Sequence, residues 1–575
     1  MKRVITYYLK PYYFRMGIGF TIKFIGSVMD LCLPWILAHI IDEVIPQQNI
    51  RLIWLWGAAM VLCAFIAVLF NVIANRMASR VATWTTRAIR HDLFAKTMYL
   101  SRQQMDDFTK PSLISRLTTD TYNVNNMLAR IQRLGVRAPI LLIGGIIFTM
   151  AMEPALSAVL IAVMPFLVLA MTQISKKGMP LYRRLQEAAD KMVCLVREDI
   201  AGIRVIKALS KTGYEKVKFA AVNEDVIQSE RKAEVTMAVL DPTTSFLLNM
   251  GLVGVILVGA YRVNAGISEV GKILAFMTYF TIILNAMMSI SRMFVMISKA
   301  AASAARIEQV LSTEDDLPVM EAAADREKVS GDESIRFEHV TFSYHKAEPD
   351  LEDIHFSVKK GEMLGIIGST GSGKTTLAAL LMRLMDPDEG RIFVNGQDVR
   401  LYDKQDLRSR FGVVFQNDTL FEDTIHENVR MGRCLSEEQL DCALKMAQAH
   451  EFTKEKERTE GAKLDIRGAN LSGGQKQRVL VARALADKPE FLVLDDSSSA
   501  LDYRTDARLR KEIREKLADT TTVMIAQRVS SVMHADHIMV LEEGKMIGYG
   551  THEELLQSCS VYREISYSQT GVGAV

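Results

Sequence analysis

Up to about residue 300, apolar residues come in long runs separated by stretches rich in Lys and Arg. Six runs, 18–40, 52–73, 136–152, 156–174, 243–261 and 273–297, approach or exceed the roughly 20 residues that a helix needs to cross a bilayer. A soluble core helix is the plainer reading of any single run. Six in succession with consistent flanks predict six membrane-spanning helices. The third and fourth runs meet at Glu153-Pro154, which leaves room only for a helical hairpin. Pro34, Pro139 and Pro165 fall inside runs and are compatible with spans, because neighbouring helices re-satisfy freed backbone groups.

The flanks orient the spans. The stretch 76–137 carries eleven Lys and Arg residues and 176–232 carries thirteen, whereas the other connections offer little beyond Arg51 and Arg262. By the positive-inside rule, both long connections and both termini are expected in the cytosol. Their helical periodicity predicts spans prolonged into the cytosol, with 75–101 reaching ~40 Å past the bilayer at ~1.5 Å per residue. The aromatic and basic start, MKRVITYYLKPYYFRMG, suits an interfacial helix, and the first run reads as a retained span, not a cleaved leader.

Residue 334 onward reads as a soluble α/β domain. The expected division is a membrane domain over 1–299, a linker over 300–333 and a nucleotide-binding domain over 334–575. The fold class is thus an all-α six-helix transmembrane domain fused to an α/β P-loop domain. With 69 basic against 67 acidic residues the net charge is +2, which argues against nucleic acid as a partner of the whole chain. The six cysteines form no C-x-x-C pair, so neither a metal site nor a disulfide framework is indicated.

MLGIIG (363–368) reads as a buried strand running into GSTGSGKTT (368–376), followed by the helix-forming TTLAALLMRLM. Strand, glycine-rich loop and helix are the context of a phosphate-binding loop. Ser369, Thr370, Gly371, Ser372, Gly373 and Thr376 belong to that loop, where glycines let backbone N–H groups close around phosphates; Lys374 reaches the β/γ-phosphates and Thr375 can ligate Mg2+. FLVLDD (491–496) is an apolar strand ending in two acids. Asp495 is placed to hold the metal and Asp496 to polarise an attacking water; two adjacent acids also serve as a helix N-cap. LSGGQ (Leu471, Ser472, Gly473, Gly474, Gln475) opens a second anion-binding helix, although one nucleotide does not need two such surfaces on one chain.

On these motifs the chain resembles the ATP-binding-cassette transporters, and along its whole length their six-span exporters. The resemblance implies head-to-tail pairing with a second half-transporter, ATP being sandwiched between one chain's P-loop and the other's signature helix. It implies ATP and Mg2+ as cofactors and places the chain in the cell membrane, multi-pass, of a prokaryotic inner or plasma membrane type. It also assigns Tyr344 to adenine stacking, Gln416 in VVFQN to a metal-coupled loop and Asp502 in SALD to a subunit-facing loop, and it matches SRLTTD (115–120) and EDIAGIRVIKA (198–208) to intracellular-loop patterns. Taken alone, Tyr344 is equally a packed strand tyrosine and Gln416 a surface glutamine.

Two positions depart from the family pattern: Asp496 stands where Glu is usual, and Gln527 stands where His is usual. Losing one methylene withdraws the carboxylate by ~1 Å, and such misplacement can cost ~10²-fold. Beside an intact LSGGQ, both changes match the degenerate-site subunit of heterodimeric multidrug-type exporters. The stretch TEGAKLDIRGAN (459–470) also departs from the acidic, glycine-containing pattern expected before the signature. The alternatives are a homodimeric exporter for which Asp496 suffices, or a nucleotide-gated channel or regulator.

The substrate class stays open among amphipathic small molecules, lipids and peptides. The sixth run carries Phe276, Met277, Tyr279, Phe280, Met287, Met288, Met293 and Phe294, which suit either promiscuous apolar binding or packing toward lipid. Lys23 and Asp30 lie at membrane depth, where ionisable groups face a cavity or a partner.

Overall fold

The computed structural model describes residues 2–314, 317–320, 332–344, 348–460 and 463–570. The chain falls into two compact units, one of Met1–Met98 with Pro111–Thr313 and the other of Tyr99–Lys110 with Glu314–Val575. Of the expected linker, residues 300–311 instead continue the helix Val270–Leu311, and 315–316 and 321–331 lie outside the described residues, as do Gly461 and Ala462.

The first unit is all helix, and six of its helices have the length and apolarity of membrane spans. They comprise α1 (Tyr13–His39), α2 (Ile50–Tyr99), α3 (Thr121–Met152), α4 (Pro154–Ala201), the nearly continuous pair α5 (Thr212–Ala238) and α6 (Leu240–Asn264), and α7 (Val270–Leu311). The single residue Glu153, extended at φ −158°, separates α3 from α4, and Pro154 opens α4 where no N–H is needed. Pro34, Pro139 and Pro165 sit inside unbroken helices.

Lys23 and Asp30 of the first span both have partners. Asp30 pairs with Arg137 of α3 at 2.9 Å and accepts from Asn71 of α2 at 3.2 Å, while buried Lys23 donates to Asn75 at 3.0 Å. Phe276, Tyr279 and Phe280 are at most 1% exposed, and Tyr279 donates to the Leu31 carbonyl. These aromatics are interior packing of the helix bundle, so the expectation that they face lipid or a substrate cavity does not hold for them. The Phe294 side chain lies outside the described residues.

The second unit holds two sheets. β1 (Glu333–Phe342), β2 (Leu351–Lys359), β4 (Glu389–Val394) and β5 (Gln397–Asp398) form an antiparallel sheet in the order β2-β1-β4-β5. The other sheet has the order β10-β9-β3-β8-β7-β6. Its members are β3 (Met363–Gly368), β6 (Phe411–Val414), β7 (Phe491–Asp495), β8 (Thr521–Ile525), β9 (His537–Glu542) and β10 (Lys545–Gly550). All its pairings are parallel except β10 with β9. β7 and β8 are buried at every residue, the continuous apolar signature of a strand covered on both faces. Helices α8 (Lys374–Leu381), α9 (Gly473–Leu485) and α10 (Tyr503–Lys516) pack around this sheet. β3, β7 and β8 lie side by side and parallel, so their carboxyl ends open onto one edge, where ligands of open α/β sheets bind.

Candidate nucleotide site

β3 delivers the chain into the glycine-rich loop at that edge. Gly371 and Gly373 have φ of 86° and 95°, and at Gly373 a Cβ would stand 2.5 Å from Leu351 Cδ2. Only glycine adopts this backbone without cost and leaves the space empty. Loop and helix start together present backbone donors and a positive dipole end. Lys374, first in α8, turns its Nζ to the carbonyls of Gly368 (2.9 Å) and Ser369 (2.6 Å). Burial pulls this ammonium below the ordinary lysine range, against the opposing pull of Asp495 and Asp496.

Asp495 ends β7 with 2% exposure and accepts from Thr375 Oγ1 at 2.7 Å. Burial pushes its carboxyl above the usual carboxylate range; the Thr375 bond and Lys374 oppose this and Asp496 adds to it. Asp496 follows with φ 49°, a left-handed conformation that aspartate tolerates better than most side chains. Its N–H donates to the Ile525 carbonyl at 2.9 Å, tying the position to β8. Its Oδ2 accepts from Gln527 Nε2 at 3.2 Å, and Gln416 also bonds the carboxylate. Burial nevertheless pushes this carboxyl upward too.

These residues line one cavity of about 280 Å3, bordered by Tyr344, Asp350, Thr370, Gly371, Gly373, Lys374, Thr375, Thr376, Gln416, Asp495, Asp496, Ile525, Ala526 and Gln527. That lies near the lower end of ligand-pocket volumes, ~300–1,000 Å3. Ser369 and Ser372 are not among the lining residues; Ser372 is buried, and its Oγ meets Lys374 at 3.4 Å. Tyr344 is held by its N–H donating to Asp350 (2.9 Å) and by its hydroxyl near Thr376 Oγ1 (3.3 Å).

Three lining residues, Asp350, Ile525 and Ala526, escape the sequence reading, since no motif marks an acid before a strand or the last residues of an apolar one. Arg102 escapes it as well. It belongs to the short helix Arg102–Phe108 between two spans, yet its guanidinium stands 5.7 Å from the Tyr344 ring centroid. Only three-dimensional packing within this unit brings the two together.

The signature residues lie elsewhere. Ser472 caps α9, accepting from Gln475 N at 3.3 Å, while Gln475 Oε1 accepts from Ser472 N at 2.9 Å, a reciprocal capping box. Leu471 is buried, and a Cβ at Gly474 would come 2.9 Å from the Ala500 carbonyl oxygen. None of the residues 471–475 lines the cavity. Gln477 of the same helix reaches back to the acid turn, donating to Ser499 Oγ (3.1 Å) and accepting from Ala500 N (3.0 Å). Asp502 caps α10 through Thr505 N at 3.1 Å, and the hydrogen bonds from the Thr505 side chain and then from its backbone hold the carboxyl below the usual range.

Comparison with known proteins matches residues 16–287 to the ABC transporter transmembrane region and residues 351–499 to the ABC transporter family. An ABC transporter ATP-binding protein of Bacillus subtilis, YfiB, is 34% identical over 573 residues, covering 99% of each chain. One of Mycobacterium tuberculosis is 32% identical over 577 residues, covering 99% of this chain and 98% of its own. Among solved structures, a bacterial Atm1-family ABC exporter with ATP bound superposes with a TM-score of 0.81 at 24% identity, covering 98% of this chain and 99% of that one. The chain therefore belongs to the ABC transporter family and has the fold of an ABC exporter half, six membrane-length helices followed by a P-loop nucleotide-binding domain.

Proposed function

We propose that this chain is one subunit of an ATP-driven exporter working by alternating access, and that it pairs with a different half-transporter. In this reading Tyr344 stacks on adenine. Ser369 to Thr376 cradle the phosphates, and Lys374 leaves its carbonyl partners for the β/γ-phosphates. Thr375, Asp495 and Gln416 offer hydroxyl, carboxylate and amide oxygens, a hard donor set that suits Mg2+. A buried carboxylate balanced by one hydroxyl and a half-buried ammonium is a fitting place for a cation. Bound there, Mg2+ neutralises phosphate charge and orients the transferred group.

The observation that carries the heterodimer reading is the Gln527–Asp496 bond. The residue at the water-polarising position is a short acid whose Oδ2 is engaged by a neutral amide. Gln keeps a donor but carries no imidazolium charge, so this half-site binds ATP and turns it over slowly. The signature residues, absent from this chain's own cavity, complete the fast site on a partner's P-loop. Closure of the paired cytoplasmic domains over ATP then turns the membrane cavity outward, exporting an amphipathic small molecule, lipid or peptide.

The test is the ATPase rate of the chain purified alone, against the same chain co-purified with a half-transporter that carries Glu and His at the corresponding positions. Slow turnover alone and fast turnover together are expected. Robust ATPase of a preparation free of any second subunit would favour the homodimeric exporter.

A further inference from the structure

The antiparallel sheet carries a cluster that nucleotide chemistry does not use. Side chains in a regular strand alternate between faces, but the β1–β2 pairing shifts register at three places, two of them around this cluster. Between the pairs Phe337↔Phe356 and Val340↔Ile354, β1 places Glu338 and His339 opposite His355 alone. Between Val340↔Ile354 and Phe342↔Leu351, β2 places Glu352 and Asp353 opposite Thr341. The two bulges compensate, so Phe337, Val340 and Ile354 stay buried while His339, Asp353 and His355 all become exposed. His339 and Asp353 take left-handed backbones, with φ of 47° and 51°. Such outliers at non-glycine residues invite a functional reading.

One donor atom from each of His339, Asp353 and His355 lies within 4.8 Å of those of the other two. His339 Nδ1 is 2.6 Å from Asp353 Oδ1, and the two imidazoles stack with centroids 5.4 Å apart. His355 Nδ1 is 3.3 Å from the Asp353 carbonyl oxygen. Donation there leaves the lone pair on Nε2, the tautomer lock by which a backbone carbonyl orients a metal-ligating histidine.

We propose that His339, Asp353 and His355 form a surface site for a divalent transition metal of the zinc class. Two imidazoles and one carboxylate select Zn2+, Co2+ or Ni2+ over Mg2+ and Ca2+, which prefer all-oxygen shells. Tetrahedral coordination at ~2.0–2.1 Å sets ligand atoms roughly 3.4 Å apart, a closure that exposed side chains reach by rotation without moving the strands. Three protein ligands leave a fourth position to water. A plain His–Asp ion pair accounts for the 2.6 Å contact, but it leaves the second histidine and its oriented ring without a role. None of the three residues lines the nucleotide cavity, so the site is distinct from the Mg2+ position.

The experiment titrates Co2+ into chelator-stripped, tag-free full-length chain and follows its visible absorption. One equivalent with a tetrahedral spectrum, displaced by Zn2+, is expected. His339→Asn and His355→Gln should each weaken it by at least ~10-fold, the lower end of what loss of even an outer-shell partner costs, and His91→Ala, at an unrelated exposed histidine, should leave it unchanged. Asn is chosen at 339 because it tolerates the left-handed backbone, and unchanged metal-free melting of both variants checks their fold. Zn2+ should raise the melting temperature of the wild type and not of either variant. Equal Co2+ binding by all four proteins, an octahedral spectrum only, or no binding at micromolar Co2+ overturns the proposal.

Discussion

Gln527 donates from Nε2 to Asp496 Oδ2 at 3.2 Å, joining two side chains that border the nucleotide cavity. In the proposed reading, the amide engages one oxygen of the short carboxylate at the water-polarising position. Replacing both, Asp496→Glu with Gln527→His, restores reach and an ionisable donor. Hydrolysis at this half-site should rise about ten- to a hundredfold when the opposing signature is competent, in line with the ~10²-fold cost of misplacement. Single-turnover hydrolysis of the assembled complex measures it, and no gain with a verified signature would put the defect elsewhere.

Damage to the signature should hurt more than damage to the acid. Asp496→Asn is expected to lower ATPase of the assembled complex modestly, whereas Gly474→Asp should nearly abolish it by setting negative charge at a helix start that must favour phosphate. A Cβ at Gly474 already comes 2.9 Å from the Ala500 carbonyl oxygen, so Gly474→Ala is the necessary steric control. Equal loss in the alanine and aspartate variants would mean that crowding, not charge, is responsible. Asp496→Asn as crippling as Gly474→Asp would instead support the homodimer.

Asp495 should carry a stability cost that nucleotide repays. Burial raises its folded carboxyl pKa. Between the unfolded value and this higher one, the native state holds more protons than the unfolded chain, so stability falls as pH rises through that window. Above the window the penalty is complete. Asp495→Asn should therefore raise the melting temperature of the nucleotide-free chain at neutral pH, a gain that disappears on acidification below the ordinary carboxylate range. The same variant should lose stabilisation by Mg-ATP. Melting curves across pH, with and without Mg-ATP, test both halves; a lower neutral-pH melting temperature for the variant would show the carboxylate to be net stabilising.

In the helical unit, one carboxylate holds three helices. Asp30 of α1 meets Arg137 of α3 and Asn71 of α2. Removing one partner of a buried pair leaves the other charge uncompensated, at ~3–5 kcal/mol when fully buried; with Arg137 and Asp30 side chains 41% and 23% exposed, about 1–2 kcal/mol is the expected scale here. Asp30→Asn should thus lower the melting temperature in detergent more than the double variant Asp30→Asn/Arg137→Gln does. Additive losses would show the two residues to be uncoupled.

The helical unit was legible in the sequence because bilayer thickness imposes a run length, and Glu153-Pro154 allowed only a hairpin. The strand, loop and helix around Lys374 were legible because glycine at positive φ, a following helix start and a strand ending in acids are local requirements of phosphate and metal binding. What lay beyond local chemistry needed the tertiary structure. The sixth run's aromatics read as a surface, yet Phe276 and Tyr279 are interior, since a helix apolar all round carries no mark of which neighbour covers it. Arg102 joins Tyr344 only when segments far apart in the sequence pack. Gln527 meets Asp496 because β7 and β8 are adjacent parallel strands whose ends converge. The cluster of His339, Asp353 and His355 exists because two bulges turn those side chains outward, and a bulge is settled by strand register, which alternation of apolar residues alone does not specify.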